Sequence, residues 1–331
     1  MAKREFENHN LEEAFFPVME QPVRWVDFKG NGRLIPGYKA IVERNTGRTL
    51  SVVSNKYQLV TNREAFEIAD NVVSAIFEGK SLNDFICYNV LMPQSKGSCR
   101  IDLIIPNNYN KLFGDKTESY TPFVRISNSY NRTATLRYEI GFCRWICLNG
   151  VIFGEMGISF SVAHTNSITN KEIDRLIVSA HNRIGTISSL WAAFEQKMDV
   201  LKSIEIPASL ALAIYCKAFD VMVDKEKLTL AQKEGLSLRA EQITKARDDY
   251  FKELGNNAYA MMNVMTDYAS FPKWTKHPAN FIDGYQRRVG KWVDSFIEEQ
   301  KKSGFSLNGY IGNDCQKTAS FLESLISANK L

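Results

Sequence analysis

The chain has 331 residues, 44% of them hydrophobic and 24% charged, with a formal net charge of +4. This is the composition of a globular chain able to bury a sizeable core, as one large domain or two ordinary ones. It excludes a strongly polarised nucleic-acid-binding tail, so any anion must be held by a local patch, and no run of about 18 apolar residues marks a membrane helix.

The opening MAKREFENHNLEEAFF has no apolar core of signal-peptide kind, and six scattered cysteines read as reduced thiols, which points to a cytoplasmic protein. Next, Trp25, Phe28 and Tyr38 sit among Arg24, Lys29, Arg33 and Lys39, and Gly30-Asn31-Gly32 is expected to interrupt any regular element. Tyr38–Arg44 and Arg48–Ser54 flank Asn45-Thr46-Gly47 as a hairpin, and Tyr57-Gln58-Leu59-Val60 reads as a further short strand. The period then changes. Phe66, Ala69, Val73 and Ile76 recur at helical spacing between Asn62, read as N-cap, and Gly79, read as C-cap. Strands resume at Phe85–Met92 and Ser98–Ile105, where Cys99, Ile101, Leu103 and Ile105 oppose Arg100 and Asp102.

The centre of the chain is the stretch Thr121–Gly154. From Thr133 to Cys143 it alternates: Ala134, Leu136, Tyr138, Ile140 and Phe142 on one side, and Thr133, Thr135, Arg137, Glu139, Gly141 and Cys143 on the other. That period predicts a strand with one buried and one solvated face, paired with Phe123–Ser127 through a turn over Ser127–Arg132. After a short strand at Gly157–Ala163, the chain turns helical. Thr169 with Glu172 fits a capping box ahead of an apolar stripe that runs from Ile173 to Leu201. Another helix starts near Pro207, and more are expected at 236–254, 257–270, 283–302 and 315–328. The class is α+β. A β-rich, largely antiparallel part with one helix (1–165) precedes a helical domain or extension packed on the sheet (166–331).

Arg125, Arg132, Arg137 and Arg144 stand in the central hairpin with Phe123, Tyr130 and Trp145, against the acid Glu139. Guanidinium groups hold phosphates and exposed rings stack bases, so the set predicts a platform for single-stranded nucleic acid. Arg24, Lys29 and Arg33 with their neighbouring rings form a second such cluster. Against this stands an ordinary solvated face with Arg137 and Glu139 paired. Cys143, Cys147 and His164 invite a zinc reading, but a fourth ligand is missing, and a Cys147–His164 nucleophile pair lacks an orienting group. No phosphate loop and no dinucleotide fingerprint is present, and neither metal nor cofactor is expected.

Four segments carry a family likeness: Ser54-Asn55-Lys56-Tyr57-Gln58-Leu59-Val60 with Glu64 and Phe66; Ser127-Asn128-Ser129-Tyr130 with Cys143-Arg144-Trp145-Ile146-Cys147-Leu148-Asn149; His164-Thr165; and Asn257–Phe271. In these the chain resembles the phage/plasmid-like protein family, domain of unknown function 932. It departs from the family at Tyr130-Asn131, where Asp-Gly is usual, and at Gly150, where Thr is. The resemblance implies a protein carried by phages, prophages or plasmids into a bacterial host cell, and supplies no catalytic residues. The order of elements is also loosely like that of phage single-strand annealing proteins of the RecT and Redβ kind, a likeness of fold only. The expectation is therefore a non-enzymatic protein that binds single-stranded DNA and promotes annealing or recombination, with the helical half packing on the sheet or building a homo-oligomer. The alternative is a counter-defence factor that binds a bacterial host protein without touching nucleic acid.

Overall fold

The computed structural model describes residues 9–77, 79–105, 111–112, 119–144, 148–153, 160–162, 175, 178 and 187–328. Ten strands form two antiparallel sheets among these residues, and the chain after residue 187 is helical, so the α+β class holds. Among the described residues no helix is long and apolar enough to cross a membrane.

The smaller sheet has the order β1 (Val18–Val26), β2 (Gly32–Glu43) and β3 (Thr49–Ser54). The larger has the path β10 (Phe160–Val162), β8 (Leu136–Arg144), β7 (Ser119–Ser129), β5 (Ser98–Ile104) and β4 (Ile86–Leu91). Two short strands complete it, β6 (Lys111–Leu112) on β7 and β9 (Asn149–Val151) on β8.

Helix α1 (Asn62–Ile76) starts one residue earlier than the sequence suggests, because Thr61 and not Asn62 is its N-cap and closes a capping box with Glu64. Its C-cap is Phe77 rather than Gly79. Tyr57–Val60 is not a strand. Tyr57 is instead buried, and its hydroxyl donates to the Ser129 carbonyl at 2.9 Å, tying the small sheet to the end of β7. Tertiary anchoring here overrides β-propensity.

The central hairpin is longer than expected: β7 runs on to Ser129, and the turn lies over 130–135, with Arg132 in the left-handed region at φ 61°. The apolar face of β8 is buried as read. Leu136, Tyr138, Ile140 and Phe142 join one core with α1 and with α2 (Ile187–Ser203). Phe142 stacks on Phe194 with ring centroids 4.2 Å apart, and the Tyr138 hydroxyl donates to the Ala65 carbonyl at 2.8 Å. The stripe that predicted α2 points its Leu190, Trp191, Phe194 and Met198 into this core.

The opposite face of the hairpin corrects the expectation of a solvated surface. Glu139, Gly141 and Cys143 are all buried. The helices that complete the fold are α3 (Ala211–Phe219), α4 (Leu230–Leu254), α5 (Ala258–Ser270), α6 (Ile282–Gln300), α7 (Leu307–Ile311) and α8 (Asn313–Ala328). Of these, α6 lies over the hairpin's second face. A Cβ at Gly290 would stand 2.0 Å from the Ile152 carbonyl oxygen, so only glycine lets the helix approach this closely. At Gly141 the Phe123 ring occupies the space a side chain would need.

Candidate nucleic-acid interface

Three adjacent strands place Asp102, Arg125 and Glu139 directly opposite one another, and the next rung on the same face is Arg100, Ser127 and Arg137. Helix α6 adds Asp283 and Arg287, one turn apart. Arg125 is fully buried and grips Asp102 with both ends of its fork, Nε to Oδ1 at 2.6 Å and Nη2 to Oδ2 at 2.5 Å, while Nη1 donates to Asp283 at 2.9 Å. Arg287 donates to both carboxylate oxygens of Glu139 and, at 3.0 Å, to Asp283. Arg100 pairs with Asp283 at 3.1 Å, and Arg137 with Glu139 at 3.7 Å. Bidentate arginine–carboxylate pairs are the strong kind, and they need full pairing where water is excluded.

Burial opposes the Arg125 charge, but the Asp102 carboxylate and its hydrogen bonds, then Asp283, outweigh this and hold the guanidinium protonated. Burial likewise pushes the Asp283 carboxyl up, yet Arg125, Arg100 and Arg287 together hold it well below the usual carboxylate range. A group with a depressed folded pKa stabilises the fold above its unfolded value, near 3.9 for aspartate, and that contribution fades as pH falls. The wild type is therefore expected to lose stability steeply below about pH 4, and Asp283→Asn to flatten that acid limb; chemical denaturation at stepped pH measures both.

This ladder removes most of the predicted central platform. Arg125 and Arg144 are fully buried, and Arg144 pairs with Glu253 at 3.0 Å beside the Tyr250 ring. Phe123 and Tyr130 are buried too, and the Tyr130 hydroxyl accepts from the Asn62 amide at 3.0 Å. Their guanidinium forks and ring faces are occupied by the protein itself, which leaves none for phosphates or bases. Arg137 is half-buried, Arg132 is exposed, and Trp145 lies outside the described residues.

Cys147 and His164 also lie outside them, while Cys143 is fully buried. Among the described residues no group of three His, Cys, Asp or Glu side chains is placed to hold a metal. Burial pushes the Cys87, Cys99 and Cys216 thiols up to about 12, so they stay protonated and unreactive at neutral pH. A cleft of about 490 Å³ beside β4 and α6 is lined mainly by apolar groups such as Leu148, Phe271 and Ile282, and none of its described walls carries a carboxylate.

The second basic-aromatic cluster has the opposite fate. Gly30-Asn31-Gly32 interrupts regular structure as expected, and the interruption is the turn of a hairpin between Val26 and Gly32. Asp27 accepts from the backbone of Lys29 at 2.9 Å and of Asn31 at 2.8 Å, and Gly30 takes φ 83°. These bonds, from Asn31 first, hold the Asp27 carboxyl below its usual range. Trp25 stands opposite Arg33, and Arg24 opposite Leu34. Strand β3 pairs with β2 only over Tyr38–Val42, so the outer ribbon from Arg24 to Leu34 has two strands and no third.

At about 3.4 Å per residue the ribbon projects roughly 17 Å beyond the β3 pairing. A register shift at Pro22/Arg24 and the positive φ of Gly37 mark its root. Trp25 is 54% exposed and Phe28 98%, Tyr38 is exposed at the root, and Arg24, Lys29 and Arg33 are exposed around them. Lys39 is the exception, paired with Glu20 at 2.7 Å. With Asp27 held in the turn, the ribbon carries three cations against one acid, and its rings meet water instead of a core.

The comparison with known families is consistent with the likeness in the central segment. The family model described as Domain of unknown function (DUF932) matches residues 49–279. The chain belongs to this family. Neither a curated protein nor a solved structure matches it. The DUF932 match opens at the first residue of β3 and closes before α6, so it includes Asp102, Arg125 and Glu139, while the β1–β2 arm and the Asp283–Arg287 half of the ladder fall outside it.

Proposed function

We propose that this DUF932 protein binds single-stranded nucleic acid through the β1–β2 arm, and that it serves a phage, prophage or plasmid in annealing or recombination within the bacterial cytoplasm. The observation that carries the reading is the exposure of Trp25 and Phe28 among Arg24, Lys29 and Arg33 on a ribbon with no core of its own. Large rings left in water without a packing partner mark an interaction surface. Trp25 directly across from Arg33 sets a stacking plane beside a guanidinium, which suits one base and its phosphate. The buried ladder has a different part: it clamps α6 to the sheet and supplies no acid–base chemistry.

A second reading, docking on a bacterial host protein, draws on the exposure of Val26 and Leu34, which lie with Arg24 on the side of the ribbon opposite Trp25 and Arg33. Salt separates the two. Each phosphate contact contributes about 0.7 to the salt slope for a single strand, so Arg24→Ala with Lys29→Ala and Arg33→Ala is expected to flatten the slope by about two units. Fluorescence anisotropy with an unstructured oligonucleotide across a salt series reads this. If the folded wild type does not bind at low salt, the host-protein reading takes its place.

A further inference from the structure

A cleft of about 400 Å³ between the C-terminal end of α3, the middle of α6 and Tyr310 of α7 has no part in the reading above. Its walls bring Lys217, Arg288 and Lys291 together with one acid, Asp220. Among the described residues none of these three cations forms an ion pair with a carboxylate, in contrast to the paired ladder at the N-terminal end of α6. Arg288 spends one Nη donor on the Phe219 carbonyl, where α3 ends, and keeps the rest of its fork. The Lys217 ammonium stands 5.6 Å from the Tyr310 ring centroid, held at the rim but not neutralised.

The negative end of the short α3 and Asp220 reduce the positive potential, yet three cations against one acid leave an excess. One wall residue adds a directional requirement. Trp292 is 97% buried (3% exposed), and its indole Nε1 has no acceptor among the described residues. An indole N–H can only donate.

We infer that this cleft between α3 and α6 binds a phosphate group, held by Lys217, Arg288 and Lys291 with the Trp292 indole N–H as a donor. Phosphate oxygens are strong acceptors of charge-assisted hydrogen bonds, and a cationic or purely apolar ligand would leave both features unmet. The group could belong to a small phosphorylated compound or to a nucleic-acid strand, and the test distinguishes these.

The experiment follows the indole N–H resonances of ¹⁵N-labelled full-length protein, with Trp292 assigned from Trp292→Phe. Inorganic phosphate, raised to about 20 mM against chloride of equal ionic strength, is expected to move the Trp292 signal saturably. Lys217→Gln with Lys291→Gln, both at exposed positions, is expected to weaken that response at least about tenfold with no change in melting temperature. A single-stranded oligonucleotide that moves the same signal and is displaced by free phosphate assigns the group to the strand; one that leaves it still assigns it to a small compound. A Trp292 signal that ignores phosphate, responds equally to chloride, or responds unchanged in the double variant overturns the site.

Discussion

Arg125→Ala is expected to cost about 3–5 kcal/mol of stability, enough to leave much of the protein unfolded at 37 °C. The side chain is fully buried and accounts for the bidentate pairing of Asp102 and one bond to Asp283. Truncation leaves the Asp102 carboxylate in the sheet interior without its countercharge, and removes one of the three arginines around Asp283. Arg125→Lys should restore only part of the loss, because an ammonium cannot reproduce a planar fork on both carboxylate oxygens. By contrast, Arg125→Leu with Asp102→Leu removes a charge of each sign and should cost less than either single change. Urea denaturation of Arg125→Ala, Arg125→Lys, the double leucine variant and its two single changes measures the series. An Arg125→Ala protein as stable as wild type would contradict the clamp and return Arg125 to the surface.

Trp25→Ala with Phe28→Ala is expected to do the reverse, leaving stability within about 0.5 kcal/mol per site and removing most of the affinity for a single strand. Stacking of a base on an aromatic ring is worth about 1–3 kcal/mol, so losing both rings should weaken binding at least about 30-fold. The two variants thus separate the two basic-aromatic clusters of the sequence. One acts through the fold, and the other through the ligand.

The reasons why only part of this was legible are physical. The helical stripes of α1 and α2 and the apolar side of β8 show their periods because one face of each meets a core. The other face of β8 reads as solvated because Arg137, Glu139 and Cys143 alternate with apolar residues as surface residues do. Only a distant helix reveals otherwise, and the available signal was Asp283 one turn before Arg287, beside an acid and an arginine on central strands. The arm failed to read as strands for a related reason. Neither of its faces is buried over Arg24–Leu34, so no alternation was imposed on the sequence, and Pro22 and Pro36 look like breaks. Pro22 is tolerated because β1 is an edge strand with a register shift at that point. The composition of the arm was visible from the start; its exposure required the fold.

The central claim is that the β1–β2 arm, and not the central hairpin, carries the strand. Photocrosslinking tests it most directly: an oligonucleotide with photoreactive thymine analogues is bound to the full-length protein at low salt, irradiated and digested, and the adduct-bearing peptides are mapped. Adducts confined to the segment that holds Trp25, Phe28 and Tyr38 are the predicted result. Adducts on the segment from Tyr120 to Arg144, or none despite measurable binding to the arm-intact protein, would contradict it.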